Sequence, residues 1–264
     1  MESQNVIIEF PDVFKYAHLL RKFSSPDAFS GHSHNSYEFL YIIKGDATYV
    51  IEDKKYKLKS GDLIVTRPSK YHFIQIDSQS DYERLNILFD KNQLNIKTNI
   101  LPEDIDVVRI KDGSIISNIF SKLDYYAGAF NKEDFLAIAK LLVQEIIYNL
   151  SLVEKKEDSD FSVINPLLSK ALAYISDNLF VIKDIAEVAA AVFVTESYLF
   201  RLFKNELFKS PKKYINEKRL LYAQNQLKKG KSPTEVAQLC GFEDYTTFYR
   251  NYISMFGKRP SDEL

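Results

Sequence analysis

The sequence predicts an α+β chain of more than one domain: an N-terminal antiparallel β-barrel, a helical segment after it, and an all-α C-terminal domain holding two helix-turn-helix units. Three observations predict this. Short runs rich in Tyr, Ile, Val and Phe fill residues 36–89, the apolar period turns helical after Gly113, and one pattern of five matched positions occurs twice between residues 187 and 260.

The strands come first. Lys44-Gly45-Asp46, Glu52-Asp53-Lys54-Lys55 and Ser60-Gly61-Asp62 punctuate the β-rich stretch as turns. Over residues 37–43 both alternating faces are apolar, Tyr37, Phe39, Tyr41 and Ile43 on one and Leu40 and Ile42 with Glu38 on the other, which predicts a wall buried on both sides. Residues 1–100 are assigned to the barrel. Ile115, Ile116, Ile119, Phe120 and Leu123, then Phe135, Ile138, Leu141, Leu142, Ile146 and Leu150, recur at helical spacing, so residues 101–153 form a helical packing and dimerisation segment. That apolar stripe either meets a partner or covers the barrel. The charged run 154–160 lies in a linker assigned to residues 154–164, and residues 165–264 form the last domain.

In that domain the caps are legible. Asn165-Pro166 opens one helix, Ser210-Pro211 a second, and Ser232-Pro233-Thr234-Glu235 a third, with proline at the first helical position, where its missing N–H is not needed. The helix from Ser210 to about Leu227 then joins two repeats. Glu187-Val188-Ala189 reappears as Glu235-Val236-Ala237, each followed by a turn and a capping residue, Thr195 or Asp244. Counting from each cap, the fourth residue is apolar (Leu199, Phe248), the sixth arginine (Arg201, Arg250) and the eighth aromatic (Phe203, Tyr252), and a proline (Pro211, Pro260) lies ten residues past each arginine. The aromatic positions are expected to pack inward. Ser197, Phe200, Arg201 and Lys204 in the first copy, and Tyr245, Thr246, Thr247, Tyr249 and Arg250 in the second, then form outward faces suited to base edges and phosphates of double-stranded DNA. An ordinary helical bundle accounts for exposed arginines, but gives no reason to repeat them in register.

Charge and composition agree. The whole chain has a formal net charge of −1, yet residues 1–165 carry 20 Lys+Arg against 25 Asp+Glu and residues 166–264 carry 15 against 11, so the repeat lies in the basic half. The single cysteine, Cys240, excludes an intramolecular disulfide and reads as a small buried side chain. With neither an eighteen-residue apolar run nor a secretory signal, the chain is expected to be cytoplasmic with no membrane partner.

Residues 166–264 resemble the DNA-binding domain of the AraC/XylS family of bacterial transcription regulators. The resemblance is carried by Tyr198-Leu199-Phe200-Arg201-Leu202-Phe203-Lys204, Ser210-Pro211-Lys212-Lys213-Tyr214-Ile215, Arg219-Leu220 and the run from Glu235 to Asp244 with Phe248 and Arg250. It implies a ligand-responsive, sequence-specific regulator, acting as an activator through RNA polymerase contact and as a homodimer. Phe193 and Phe208 stand where the family usually has glycine, and Phe200 where a smaller or polar residue is usual.

In the N-terminal half, His32-Ser33-His34-Asn35-Ser36-Tyr37-Glu38, with Gly61-Asp62 and Pro68-Ser69-Lys70-Tyr71-His72, resembles the two motifs of a cupin barrel. Residues 32, 34 and 38 share parity, so on an extended strand their side chains project to one face, where His72 can join them. The expected effector pocket is therefore His32, His34, Glu38, Tyr41 and His72, binding a small molecule, a sugar being the family's commonest association. Lys70 and Ile76 replace residues typical of metal cupins, so the pocket is expected to work with no metal and no cofactor. A metal-dependent cupin enzyme with an accessory helical domain is the alternative.

Overall fold

A computed structural model describes residues 5–21, 27–28, 31–77, 81–103, 105–153 and 161–264. The strands are β1 (Val6–Phe10), β2 (Phe14–Arg21), β3 (Asp27–Ala28), β4 (Tyr37–Lys44), β5 (Ala47–Ile51), β6 (Lys54–Leu58), β7 (Asp62–Thr66), β8 (His72–Ile76), β9 (Tyr82–Phe89), β10 (Val107–Arg109) and β11 (Phe161–Val163). They form two antiparallel sheets, ordered β1-β2-β9-β4-β7-β10 and β11-β6-β5-β8-β3. The two apolar faces expected of residues 37–43 are both used. Leu40 and Ile42 join Tyr49, Ile64, Ile74 and Tyr82 in a core between the sheets, whereas Phe39 packs with Ile87 and Phe89 against α1 (Ile115–Ala129) and α2 (Lys132–Ser151).

The outer face of the second sheet is covered by the C-terminal domain. Val50, Tyr71 and Phe73 enter one cluster with Leu168, Leu172, Val188, Leu199, Phe203 and Ile215. The layers therefore run helices, sheet, sheet, helices, and the first helix-turn-helix is built on the barrel wall. Two boundaries shift from those read in the sequence. The six-stranded sheet reaches past residue 100, because β10 pairs with β7, and residues 161–163 of the presumed linker form β11 on the edge strand β6. Residues 154–160 of that linker lie outside the described residues.

The C-terminal helices are α3 (Pro166–Asn178), α4 (Ile185–Ala191), α5 (Glu196–Leu207), α6 (Pro211–Leu227), α7 (Pro233–Leu239) and α8 (Tyr245–Phe256). Asn165, Asp184, Thr195, Ser210, Ser232 and Asp244 each cap the helix that follows with a side-chain oxygen. The duplication is exact enough to compare backbones. Each unit has a left-handed residue in its turn and another after its second helix, Phe193 and Phe208 in the first, Gly241 and Gly257 in the second. Gly241 has a further reason to lack a side chain, since a Cβ there would lie 2.2 Å from the Phe180 carbonyl oxygen.

Candidate nucleic-acid interface and effector site

Helices α5 and α8 present the two candidate reading faces. Leu199, Phe203, Phe248 and Tyr252 are fully buried, and that inward anchoring turns Phe200 and Arg201 of α5 and Arg250 of α8 out. Ser197, Phe200, Arg201, Lys204, Tyr245, Thr246 and Arg250 are exposed, and Thr247 and Tyr249 are half-buried. The first face is pre-arranged by cation–π contacts, Arg201 over Tyr198 at 5.6 Å and Lys204 over Phe200 at 5.7 Å. On the second, the Thr247 hydroxyl donates to Asp244 at 2.8 Å, so it belongs to the helix cap as well as to the face. Hydrogen bonds from the Thr247 backbone and side chain hold the Asp244 carboxyl below its usual range.

What fixes the two heads relative to each other is Arg219 of α6, whose guanidinium is buried. It donates to the carbonyls of Leu179 (2.8 Å), Gly241 (2.9 Å) and Ile182 (2.6 Å), pinning the connector to the chain ahead of the first unit and to the turn of the second. Second-unit residues Val236, Ala237, Phe248 and Tyr252 pack on Leu220, Ala223 and Leu227 of the same helix. Cys240 lies in that core, where burial pushes its thiol up to about 12, an inert state.

The other polar cluster lies at the barrel mouth. His32, His34, Glu38 and His72 converge there, with imidazole centroids 4.5–5.7 Å apart. They do not share one strand as parity suggested: β4 starts at Tyr37, and His32 is brought in by a two-residue bridge to His72. Glu38 is buried, its Oε2 lying 3.1 Å from His34 Nε2 and 2.9 Å from His72 Nε2. Burial alone would raise its carboxyl, but the two imidazoles hold it well below the ordinary range. Tyr41 does not join the cluster. Its odd position on β4 faces the helices, where it stacks on Phe120 at 4.7 Å.

Sequence reasoning missed Asn86, which donates to Glu38 Oε1 at 2.9 Å, and Asn35, which donates to the Leu221 carbonyl (3.0 Å) and Gln224 Oε1 (2.8 Å) of α6. A signal for Asn86 existed: an amide amid Leu85, Ile87 and Phe89 in a strand buried on both sides needs a polar partner. Asn35 offered none, because its partners lie almost 190 residues away. Above the mouth, between the barrel and helices α6 and α8, is a cavity of about 950 Å³ that His32, His34, Lys213, Gln224 and Arg250 help to line. Beside it Glu52, at the β5–β6 turn, accepts from Tyr214 Oη at 2.5 Å and from Lys218 Nζ, a second clasp between barrel and connector.

Residues 188–263 match the family profile described as a helix-turn-helix domain, and residues 24–95 match that of the AraC-like ligand binding domain. The chain belongs to the AraC family of transcription regulators. The regulator is 23% identical over 267 residues to the uncharacterized HTH-type transcriptional regulator YfiF of Bacillus subtilis, covering 96% of this chain and 84% of that one. It is 24% identical over 246 residues to the HTH-type transcriptional activator RhaS of Yersinia pestis, covering 89% of each, and 23% identical over 236 residues to the lactose operon transcription activator of Staphylococcus xylosus, covering 81% and 78%. These relatives are transcription regulators rather than enzymes. No helix among the described residues is long and apolar enough to cross a membrane.

Proposed function

We propose that the regulator is a ligand-responsive transcription activator of the bacterial cytoplasm that reads two successive major-groove segments of its operator. In this reading α5 presents Ser197, Phe200, Arg201 and Lys204, and α8 presents Tyr245, Thr246, Thr247, Tyr249 and Arg250. The observation that carries it is the pair of exposed arginines at matched positions, Arg201 and Arg250, on helices pinned to one connector through Arg219. Two heads on a stiff connector suit groove segments about 34 Å apart on one face of the duplex.

The effector is a small molecule bound at the barrel mouth, bounded by His32, His34, Glu38 and His72. A sugar or glycoside is favoured by the likeness to a lactose operon activator. To switch anything it must bind two arrangements of barrel and heads unequally. The cavity shared by His32, His34 and Arg250 supports such coupling, because an occupant there touches sensor and reading head together. Homodimerisation uses the outer faces of α1 and α2, where Tyr125, Leu141 and Tyr148 are exposed, with Leu152 just past the end of α2, and activation runs through contact with RNA polymerase.

The test is fluorescence anisotropy of the full chain on promoter fragments from its own genome, across salt concentrations and with a panel of sugars. Saturable binding to a subset of fragments, falling steeply with salt and shifted by one sugar class, is expected. Equal affinity for every fragment would refute sequence-specific reading.

A further inference from the structure

Two features of the barrel mouth suit a cation. His34 Nδ1 lies 3.0 Å from the Ser36 carbonyl oxygen and His72 Nδ1 lies 2.9 Å from that of Lys70. A carbonyl only accepts, so both rings carry a proton on Nδ1 and turn Nε2 inward, the orientation in which metal-binding imidazoles are held. Both Nε2 atoms face the same carboxylate oxygen, Glu38 Oε2, which also only accepts, so each contact needs either a second proton on the ring or a cation shared between them. His72 is 1% exposed, and its Nε2, though 2.9 Å from Glu38 Oε2, makes no hydrogen bond of normal geometry in this water-excluded position. A second proton on each ring would set two imidazolium charges against one buried carboxylate. One divalent ion answers all three groups at once.

The rest of the donor set fits. The ligand atoms of His32, His34, Glu38 and His72 all lie within 4.8 Å of one another, and an octahedral cation about 2.1 Å from each donor, with the widest pair on opposite sides of it, needs that pair to close by roughly half an ångström. Asn86 fixes the second carboxylate oxygen, as an outer partner of a metal ligand does. Three imidazoles and a carboxylate select first-row transition ions over calcium or magnesium. The departures at Lys70 and Ile76, from which the sequence read as metal-free, remove no donor: Lys70 supplies only its backbone carbonyl, and Ile76 is buried in the core between the sheets.

The placement of Asn35 gives the ion a consequence. It follows His34 directly, grips Leu221 and Gln224 of α6, and accepts a hydrogen bond from Ser69 Oγ at 2.9 Å, while Ser69 N donates to the His34 carbonyl at 2.7 Å. Whatever fixes His32 and His34 therefore fixes the strut between the barrel and the connector of both reading heads. We propose that His32, His34, Glu38 and His72 bind one divalent first-row transition-metal ion, and that this ion sets the hold of Asn35 on α6. The second half deepens the effector reading by making the sensor mouth metal-dependent; the first half stands apart from it.

The experiment uses the full chain, stripped with chelator and titrated with zinc, nickel and manganese by calorimetry, with hydrogen exchange of the α6 amides read alongside. One equivalent of at least one ion is expected, with binding abolished in His34→Ala and weakened about 10–100-fold in Asn86→Ala. Circular dichroism checks that both variants fold. Asn35→Ala should bind the ion like wild type yet lose the metal-induced slowing of exchange in α6. No saturable binding of any of the three ions, or binding undiminished in His34→Ala, overturns the site. Unchanged slowing in Asn35→Ala overturns the coupling, and neither readout depends on DNA or on an effector.

Discussion

Replacing Phe193 by glycine should make the regulator more stable, although it deletes an aromatic side chain. Phe193 sits in the turn of the first helix-turn-helix at φ +60° and is 95% exposed, so the ring contributes almost no burial while the backbone holds a left-handed conformation. That conformation costs a residue with a Cβ roughly 1–2 kcal/mol. Glycine removes the cost but gives back about 0.5–1 kcal/mol through the freedom it adds to the unfolded chain. The net gain is about 0.5–1 kcal/mol. Phe208, also left-handed at φ +55°, is the control: its ring meets Phe73 edge-on at 5.3 Å, a contact worth about 0.5–1.5 kcal/mol, so Phe208→Gly should come out neutral or destabilising. The second unit supplies the converse. Gly241→Ala adds both the left-handed cost and a collision with Phe180, together about 2–5 kcal/mol. Urea unfolding of the full chain at constant slope reads all three as midpoint shifts. A lower midpoint for Phe193→Gly would refute the reasoning, because the exposed ring would then be contributing more than its conformation costs.

Arg201→Ala and Arg250→Ala should each weaken operator binding by about 1–3 kcal/mol with unchanged circular dichroism, whereas Phe248→Ala, which empties a fully buried site, should cost about 3–5 kcal/mol of stability; wild-type anisotropy for the arginine variants would move the reading face elsewhere. Lys218→Met leaves the Glu52 carboxylate without its cation in a largely buried clasp, so the barrel and α6 should loosen, seen as faster hydrogen exchange in α6; unchanged exchange would mean that the clasp contributes nothing. His18 bridges Asp124 at 2.7 Å and Glu83 at 2.8 Å. Burial disfavours its charge, but those two carboxylates outweigh burial and raise its pKa above 6.5. A raised folded pKa stabilises fully below the unfolded value and is lost as pH climbs through the folded one, so thermal stability should fall from about pH 6.5 upward in wild type and less so in His18→Gln. Parallel curves would exclude the link.

Residues that obey a short repeat were legible in the sequence. The caps at Asn165, Ser210 and Asp244, the two-faced strand at 37–43 and the inward aromatics of α5 and α8 all follow from spacing of two or 3.6. Tyr41 went astray through parity: an odd position was grouped with Glu38, which faces the other way. His32 and His34 converge on Glu38 as expected but reach it through a bridge to β8, a long-range pairing that periodicity does not encode. Nor does any local pattern announce β11, whose three residues are all exposed and become a strand because the edge of β6 was open to pair. The clasps of Asn35 and Glu52 on α6 belong to the same class, since only the folded chain brings their partners near.

The cluster that joins Val50, Tyr71 and Phe73 to the first helix-turn-helix makes the sensor wall part of the floor beneath one reading head, while the second head rests on its own core around Leu220 and Phe248. The two heads are thus unequal in inheritance. A screen for mutants that no longer recognise the operator should return lesions in β5 and β8, far from any base, and their effects should fall on the half-site read by α5. Grafting this C-terminal domain onto another barrel would likewise carry the second head intact and leave the first on a foreign floor.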